Sequence, residues 1–307
     1  MSKLLFSIVV PTFNRPAELA TCLDAIANCG FDRGRFEVVV VNDGGDDPEP
    51  VLESARSAGI NLRRLSKPNR GPAAARNYGA SAARGDFLAF IDDDCIPAKD
   101  WLTRLEESVA AYPLALHGGR TVNLLRGNRC SQASQSLVDY VYRYYNDRTV
   151  SRTFFFASNN IAVATSLFAQ IGGFDESFRT AEDRDFCRSW HAKGWGFHYS
   201  PSVTIHHAHH LTLRTLQKQH FSYGRGALPY WRKSSAGSGR IRVEPLSFYA
   251  GMMAHPFSQH IQRPALVASL ILISQVANAA GFAYEAFRTR GHAGAILESR
   301  RKAPARI

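Results

Sequence analysis

The chain has 307 residues and a formal net charge of +11, from 37 Lys and Arg against 26 Asp and Glu. The length supports one large domain, or one domain with an appendage, and the composition is that of an ordinary globular protein. Five cysteines (Cys22, Cys29, Cys95, Cys130, Cys187) with no C-x-x-C spacing exclude a disulfide framework and a cysteine zinc site, and suit a reducing cytosol.

Met1 to Leu5 leads straight into the strand-like Phe6–Val10, without a signal-peptide pattern. Pro11-Thr12-Phe13-Asn14-Arg15 breaks that strand. A helix follows, with Asn14 as its expected cap, Pro16 in its first turn, Leu19, Leu23 and Ile26 at helical spacing, and Gly30 at its end. Phe36–Val41 reads as a second strand ending in Asn42-Asp43-Gly44-Gly45. A helix over roughly 48–58 and a third strand over Asn61–Leu65 come next. Gly71-Pro72 opens an Ala-rich helix reaching Ala83, and a fourth strand, Phe87–Ile91, runs into Asp92-Asp93-Asp94. This regular alternation predicts a parallel sheet built from right-handed crossovers.

Beyond Pro97 the pattern changes. Trp101–Ala111 reads as a helix, His117–Leu125 and Asn159–Ala164 as shorter strands, with Tyr140–Tyr145 between them. A helix over Glu182–Lys193 closes at Gly194, Ser202–Ile205 is strand-like, and Ser234–Gly239 reads as a linker. The expected division is residues 1–233, with a nucleotide-binding half (1–95) and an acceptor half (96–233), followed by a basic, apolar helical extension over 234–307.

The positive charge admits nucleic acid, an anionic membrane or a phosphorylated substrate as partner. Nucleic acid is excluded as the working expectation, because the chain has no zinc-finger spacing, RNP-like aromatic run or clear recognition helix. Much of the charge lies late, from Arg225 and Arg232 through Arg288 to Lys302, around the most apolar stretch. Residues 264–284 carry no charge and are long enough to be a transmembrane candidate. Ser269, Ser274, Gln275, Asn278 and Gly281 make insertion marginal, so an interfacial, re-entrant or docked helix is expected over a full span.

Chemistry concentrates at the strand ends. Three adjacent carboxylates repel unless compensated, and on an extended chain Asp92 and Asp94 share one side, the arrangement of a D-x-D pair bridging a divalent cation to an anionic substrate. Asp43 either accepts hydrogen bonds from a base or ribose, or is a turn residue before Gly44. Arg76 either reaches the nucleotide or the Asp cluster, or covers a packing helix. Glu182-Asp183 is either a helix-terminus charge pair or the source of a general base. His206-His207-Ala208-His209-His210 offers one or two imidazoles to the cation. A zinc hydrolase lacks H-E-x-x-H, a dinucleotide oxidoreductase lacks G-x-G-x-x-G, and a nucleotidyltransferase lacks the usual glycine-rich loop after strand one.

Seven segments, in order, resemble family 2 glycosyltransferases: Ser7–Arg15, Val40–Gly44, Asn69–Asn77, Phe90–Asp94, Gly172–Glu176, Glu182-Asp183 and Tyr223–Gly226. The resemblance covers about residues 5–230. It implies an α/β GT-A (Rossmann-like) fold, a mostly parallel sheet flanked by helices. It also implies a nucleotide-diphosphate sugar donor, Mg2+ or Mn2+, and inversion at the anomeric carbon. By resemblance, Pro11, Thr12 and Asp43 are nucleoside contacts, with Asn14, Arg15 and Asp93 on the donor side and Arg76 near the diphosphate. Asp92 and Asp94 are the D-x-D metal pair, Asp183 is the base with Glu182 as alternative, and His206 is the additional metal ligand. Arg225 meets the diphosphate or a lipid-linked acceptor. The expected acceptor is a saccharide or lipid-linked glycan of cell-envelope or polysaccharide synthesis, at the inner face of the cytoplasmic membrane with peripheral membrane contact. A non-catalytic scaffold of the same fold is the remaining rival, opposed by the intact acidic residues.

Overall fold

The structure is a computed structural model describing residues 3–146, 154–234, 244–259 and 261–301, with side chains through 289. The expected linker from Ser234 to Gly239 lies outside the described residues from 235 onward. The chain divides into two compact units, residues 1–210 and 211–307. The division falls before the expected boundary at 233, because the helix over Leu213–Ser234 packs along the last helix and belongs to the second unit.

In the first unit, β1 (Phe6–Thr12), α1 (Pro16–Ala27), β2 (Phe36–Asn42), α2 (Glu49–Ser57), β3 (Leu62–Ser66), α3 (Pro72–Ser81) and β4 (Phe87–Ile91) follow one another as the periodicity predicts. Then come β5 (Cys95–Pro97), α4 (Trp101–Ala111), β6 (Leu116–Asn123), α5 (Arg129–Asn146), β7 (Asn160–Ala164), α6 (Thr165–Ile171), α7 (Glu182–Ala192) and β8 (Phe197–His207). Among the described residues they build one sheet in the order β3-β2-β1-β4-β7-β6-β8-β5. The first four strands are mutually parallel, whereas β7 runs antiparallel to both β4 and β6.

Both faces of the parallel strands are buried, which is why they read as continuous apolar runs. Ile8, Val10, Val38 and Val40 point to one side, against Leu19, Leu23 and Ile26 of α1 and Trp101 and Leu102 of α4. Val9, Val39, Val41 and Phe90 point to the other, against Ala73 and Ala75 of α3 and Phe186 and Trp190 of α7. Burying each large apolar side chain contributes roughly 1.5–3 kcal/mol. The alanines let α3 lie close to the sheet: a Cβ on Gly79 would come within 2.5 Å of Val9.

Asn160 ties the second half together. Its Oδ1 accepts from Trp101 Nε1 at 3.0 Å, and its Nδ2 donates to the carbonyls of Arg120 (3.1 Å) and Val203 (3.0 Å). The register of β8 against β6 shifts at this point, between Gly119 and Arg120. The anchor therefore sets where the end of β8 falls.

The second unit contains α8 (Leu213–Ser234), α9 (Leu246–Ser258) and α10 (Pro264–Arg301). α8 and α10 approach backbone to backbone: a Cβ on Gly224 would sit 1.9 Å from the Asn278 carbonyl, and one on Gly281 2.0 Å from that of Phe221. Within α10, Pro264–Thr289 is long and apolar enough to cross a membrane by length and composition.

Candidate active site

The carboxyl ends of β1, β2 and β4 lie side by side, so their loops share one edge, where ligands bind in open α/β sheets. Pro11 and Thr12 close β1. Asn14 does not cap α1. The cap position is Arg15, whose side chain makes no capping bond, and Asn14 adopts a left-handed conformation (φ 54°) that asparagine tolerates. Its Oδ1 instead accepts from the Asp46 amide at 2.7 Å, bridging the β1 and β2 loops, and α1 ends at Ala27, ahead of Gly30.

Asp43 is buried at the end of β2. Its carboxylate accepts from Lys67 Nζ and from the amides of Arg70 (3.1 Å) and Gly71 (2.8 Å). Next to it Gly44 holds φ 83°, and a Cβ there would sit 2.6 Å from the Asn69 amide nitrogen. The glycine after Asp43 therefore lets the 67–71 segment reach this carboxylate without a clash.

The Asp triplet is a turn, not an extended D-x-D: the Cys95 amide donates to the Asp92 carbonyl at 3.1 Å. The turn fans the three carboxylates toward separate partners, which is how they coexist. Asp92 Oδ1 accepts from Arg76 Nη2 at 2.6 Å. Asp93 accepts from Thr12 Oγ1 at 2.8 Å and from Arg15 Nη1 at 3.2 Å. Asp94 accepts from Arg15 Nη1 at 3.0 Å and pairs with His207 Nε2 at 3.1 Å. Burial pushes Asp93 up to about 6 in spite of Thr12 and Arg15. Burial acts the same way on Asp94, but His207 and Arg15 overcome it and hold that carboxyl below the usual range.

The imidazole that reaches the triplet is His207, not His206. Strand β5 begins immediately after the triplet and pairs with β8, matching Cys95 to His207 and Ile96 to His206. Side chains alternate along a strand, so a one-residue step sends His206 to the other face. Asp94, Cys95 and His207 bring ligand-type atoms within 4.8 Å of one another. Cys95 is fully buried and its thiol is pushed far up by burial, so carboxylate oxygen and imidazole nitrogen form the usable pair. Asp92 stands outside this cluster, turned to Arg76.

Arg76, expected near the diphosphate, joins two acidic groups. Its side chain is almost entirely buried on α3, and it bridges Asp92 to Glu182, with Nη1 to Glu182 Oε1 at 3.0 Å. Asn77, the next residue, donates to the Phe174 carbonyl at 2.8 Å and accepts from the Phe174 amide at 2.9 Å. Arg76 and Asn77 thus clamp both ends of the Gly173–Glu182 segment, including the start of α7. Sequence reasoning gave no role to Asn77, although it closes the Asn69–Asn77 segment, and missed Lys67, which lies two residues before that segment and carried no local signal.

Glu182 and Asp183 open α7 with different surroundings. Glu182 is buried and bound to Arg76, while Asp183 is partly exposed and accepts from the Arg184 amide at 2.8 Å. Burial, then the neighbouring Asp183, pushes Glu182 up to about 7 against the pull of Arg76, and burial raises Asp183 also. A partly exposed carboxyl of raised proton affinity has the properties of a general base. Arg225, expected at the diphosphate or a lipid-linked acceptor, lies in the second unit. Its Nε donates to Glu285 Oε2 at 2.9 Å and its guanidinium lies 5.4 Å from the Tyr284 ring centre.

The model of Glycosyl transferase family 2 matches residues 7–170. A pre-mycofactocin glycosyltransferase of Mycobacterium tuberculosis is 31% identical over 229 residues, 73% of this chain and 47% of that relative, so the chain spans about half its length. The glycosyltransferase AglE of Haloferax volcanii is 24% identical over 264 residues, covering 84% of this chain and 85% of AglE. Among solved structures, the mannosyltransferase PcManGT from Pyrobaculum calidifontis in complex with GDP-Man and Mn2+ superposes with a TM-score of 0.59 at 18% identity, covering 98% and 83% of the two chains. S. aureus TarS 1-349 does so at 0.56 and 18%, covering 94% and 92%. The fold is the GT-A arrangement, and with the strand-end carboxylates and the Glu182-Asp183 pair in place on it, this chain belongs to glycosyl transferase family 2.

Proposed function

We propose that the chain moves a sugar from a nucleotide-diphosphate donor to an acceptor hydroxyl, with inversion and with Mg2+ or Mn2+. The observation that carries this is the Asp92–Arg76–Glu182 bridge, which joins the strand-end carboxylates to a second acidic pair at the start of α7. The donor class is supported by solved proteins of similar fold, PcManGT in complex with GDP-Man and Mn2+ and TarS 1-349 in complex with UDP-GlcNAc.

In this reading Pro11, Thr12 and Asp43 border the nucleoside, and the Asn14 and Arg15 loop lies over the donor. Asp94 and His207 would hold the cation, a carboxylate and imidazole pair that suits Mn2+ or Mg2+ with the remaining positions left to donor oxygens. Such a cation supplies neutralisation of the diphosphate, making it a better leaving group. Asp183 takes the acceptor hydroxyl proton. The acceptor oxygen then bonds to the anomeric carbon opposite the departing diphosphate, which leaves with the electron pair of the broken bond. One displacement inverts the centre and uses no enzyme nucleophile. Glu182, locked to Arg76, positions the pair.

The acceptor is a saccharide or lipid-linked glycan used in cell-envelope or polysaccharide synthesis, met at the cytoplasmic face of the membrane. The test is thermal unfolding with UDP, GDP, dTDP and CMP, each with and without Mn2+. A nucleotide at about 100 times its dissociation constant stabilises by roughly 2.7 kcal/mol. A Mn2+-dependent rise with one nucleotide is the expected result; no rise with any of them overturns the proposal.

A further inference from the structure

The charge of this protein is not shared between its units. Residues 211–307 hold fourteen of the 37 Lys and Arg but three of the 26 Asp and Glu, so they carry the entire +11 while residues 1–210 are neutral. The same unit presents an uninterrupted apolar face. On α10 the exposed positions include Ser269, Leu272, Val276, Ala283 and Phe287, spaced three, four or seven apart, and no charge occurs between Pro264 and Tyr284. Leu272, Val276 and Phe287 are 55%, 63% and 72% exposed and lie on one face of the helix. The opposite side of α10 is occupied by α8, through Gly281, Ser274 and Glu285.

We infer that the second unit docks on an anionic lipid surface, with the outward face of α10 lying in the headgroup region. Arg263 and Arg288 bound the apolar stripe, and Arg214, Lys218, Arg232 and Lys233 are exposed along α8. An apolar stripe with a basic residue at each end, on a unit that carries the whole net positive charge, is the composition that binds acidic headgroups, each Lys or Arg near the surface contributing about 1 kcal/mol. Nucleic acid would use the cations but not the stripe. A transmembrane placement would carry α8 into hydrocarbon with α10, because the two helices meet backbone to backbone. That would bury Arg225 and Glu285 along with Arg214 and Lys218, whereas lying flat leaves them in water. Docking of this kind rests on the membrane-proximal reading of the acceptor and is independent of donor chemistry.

The experiment is vesicle flotation of the full chain with phosphatidylcholine alone and with about one quarter phosphatidylglycerol, at salt from about 0.15 M to about 1 M. The expected result is flotation with the anionic vesicles only, lost at high salt, and roughly tenfold weaker for Leu272→Glu with Val276→Glu. Both positions are exposed, so that double variant keeps its unfolding temperature. Arg263→Gln, which leaves the stripe intact and removes the cation at its start, flattens the salt dependence. Equal binding to neutral vesicles, no binding, or wild-type binding by the stripe variant overturns the inference. So does retention through alkaline carbonate, which marks a span, or a dimer that the stripe variant abolishes without lipid. The nucleotide-induced thermal shift of the same samples reports separately on the donor site, so either reading can fail alone.

Discussion

Replacing Arg76 with methionine removes the charge that holds the site together while keeping the side chain's bulk. Arg76 and Glu182 have side chains only 4% and 8% exposed, so the variant leaves Glu182 buried with Asp183 and Asp92 as its charged neighbours. Removing one partner of a buried ion pair costs about 3–5 kcal/mol. Part of this is relieved by protonation, since Glu182 already stands at about 7 with the arginine in place, and each further unit costs about 1.4 kcal/mol. A loss of about 3 kcal/mol follows at about pH 9, where Glu182 of the wild type is ionised, seen as a fall of roughly 6–12 °C in the unfolding temperature of the first unit. The sign with pH is fixed. Below about pH 7 Glu182 is protonated in both folded proteins and its ionisation adds nothing to the difference; loss of Arg76 raises its folded pKa further, so the deficit grows as pH rises above about 7. Thermal unfolding at about pH 6 and about pH 9, wild type against Arg76→Met, measures this directly. A fall under about 2 °C at about pH 9, or one equal at both pH values, would refute the buried bridge as the element that positions α7.

Asp94→Ala should abolish Mn2+-dependent nucleotide binding, read as loss of the thermal shift. Asp183→Asn should keep that shift and remove transfer; near-normal turnover would dismiss Asp183 as the base. The two histidines separate cleanly: His207→Ala should weaken Mn2+ dependence by tenfold or more, about 1.4 kcal/mol, and His206→Ala should leave it intact, as titration calorimetry can show. Far from the site, His117 is buried, with Nδ1 at 2.8 Å from Ser108 Oγ and Nε2 at 3.0 Å from the Tyr112 carbonyl, and burial pulls it down to about 4. The unfolded imidazole takes its proton near 6.5 and the folded one resists, so stability falls between about 6.5 and 4 by about 3 kcal/mol. Denaturation of His117→Asn across that range should show a flatter profile, and an unchanged slope would assign the acid sensitivity elsewhere.

Much of this protein is legible without a structure. Strands buried on both faces read as unbroken apolar runs, helices as 3.6-residue periods, and turn residues mark where each strand delivers its polar end. For that reason Thr12, Asp43 and Asp92–Asp94 could be placed at one edge, and Glu182-Asp183 at a helix start. These signals are local: each depends on residues within one turn or one pleat. The decisions that mattered for chemistry were made across long separations. Arg76 finds Glu182 over 106 residues and His207 finds Asp94 over 113, through helix packing and strand register that no short window contains. A single step in the β5–β8 pairing selects His207 over His206, and the 92–95 turn, not the D-x-D spelling, decides where each carboxylate points. Likewise the apolar stretch over 264–284 is visible in composition, but which of its faces is left uncovered depends on Gly224 and Gly281 letting α8 close on the other. Sequence determined which groups exist and which local shapes they adopt; tertiary packing decided which of them meet, because partners are chosen by register and close approach rather than by nearness along the chain.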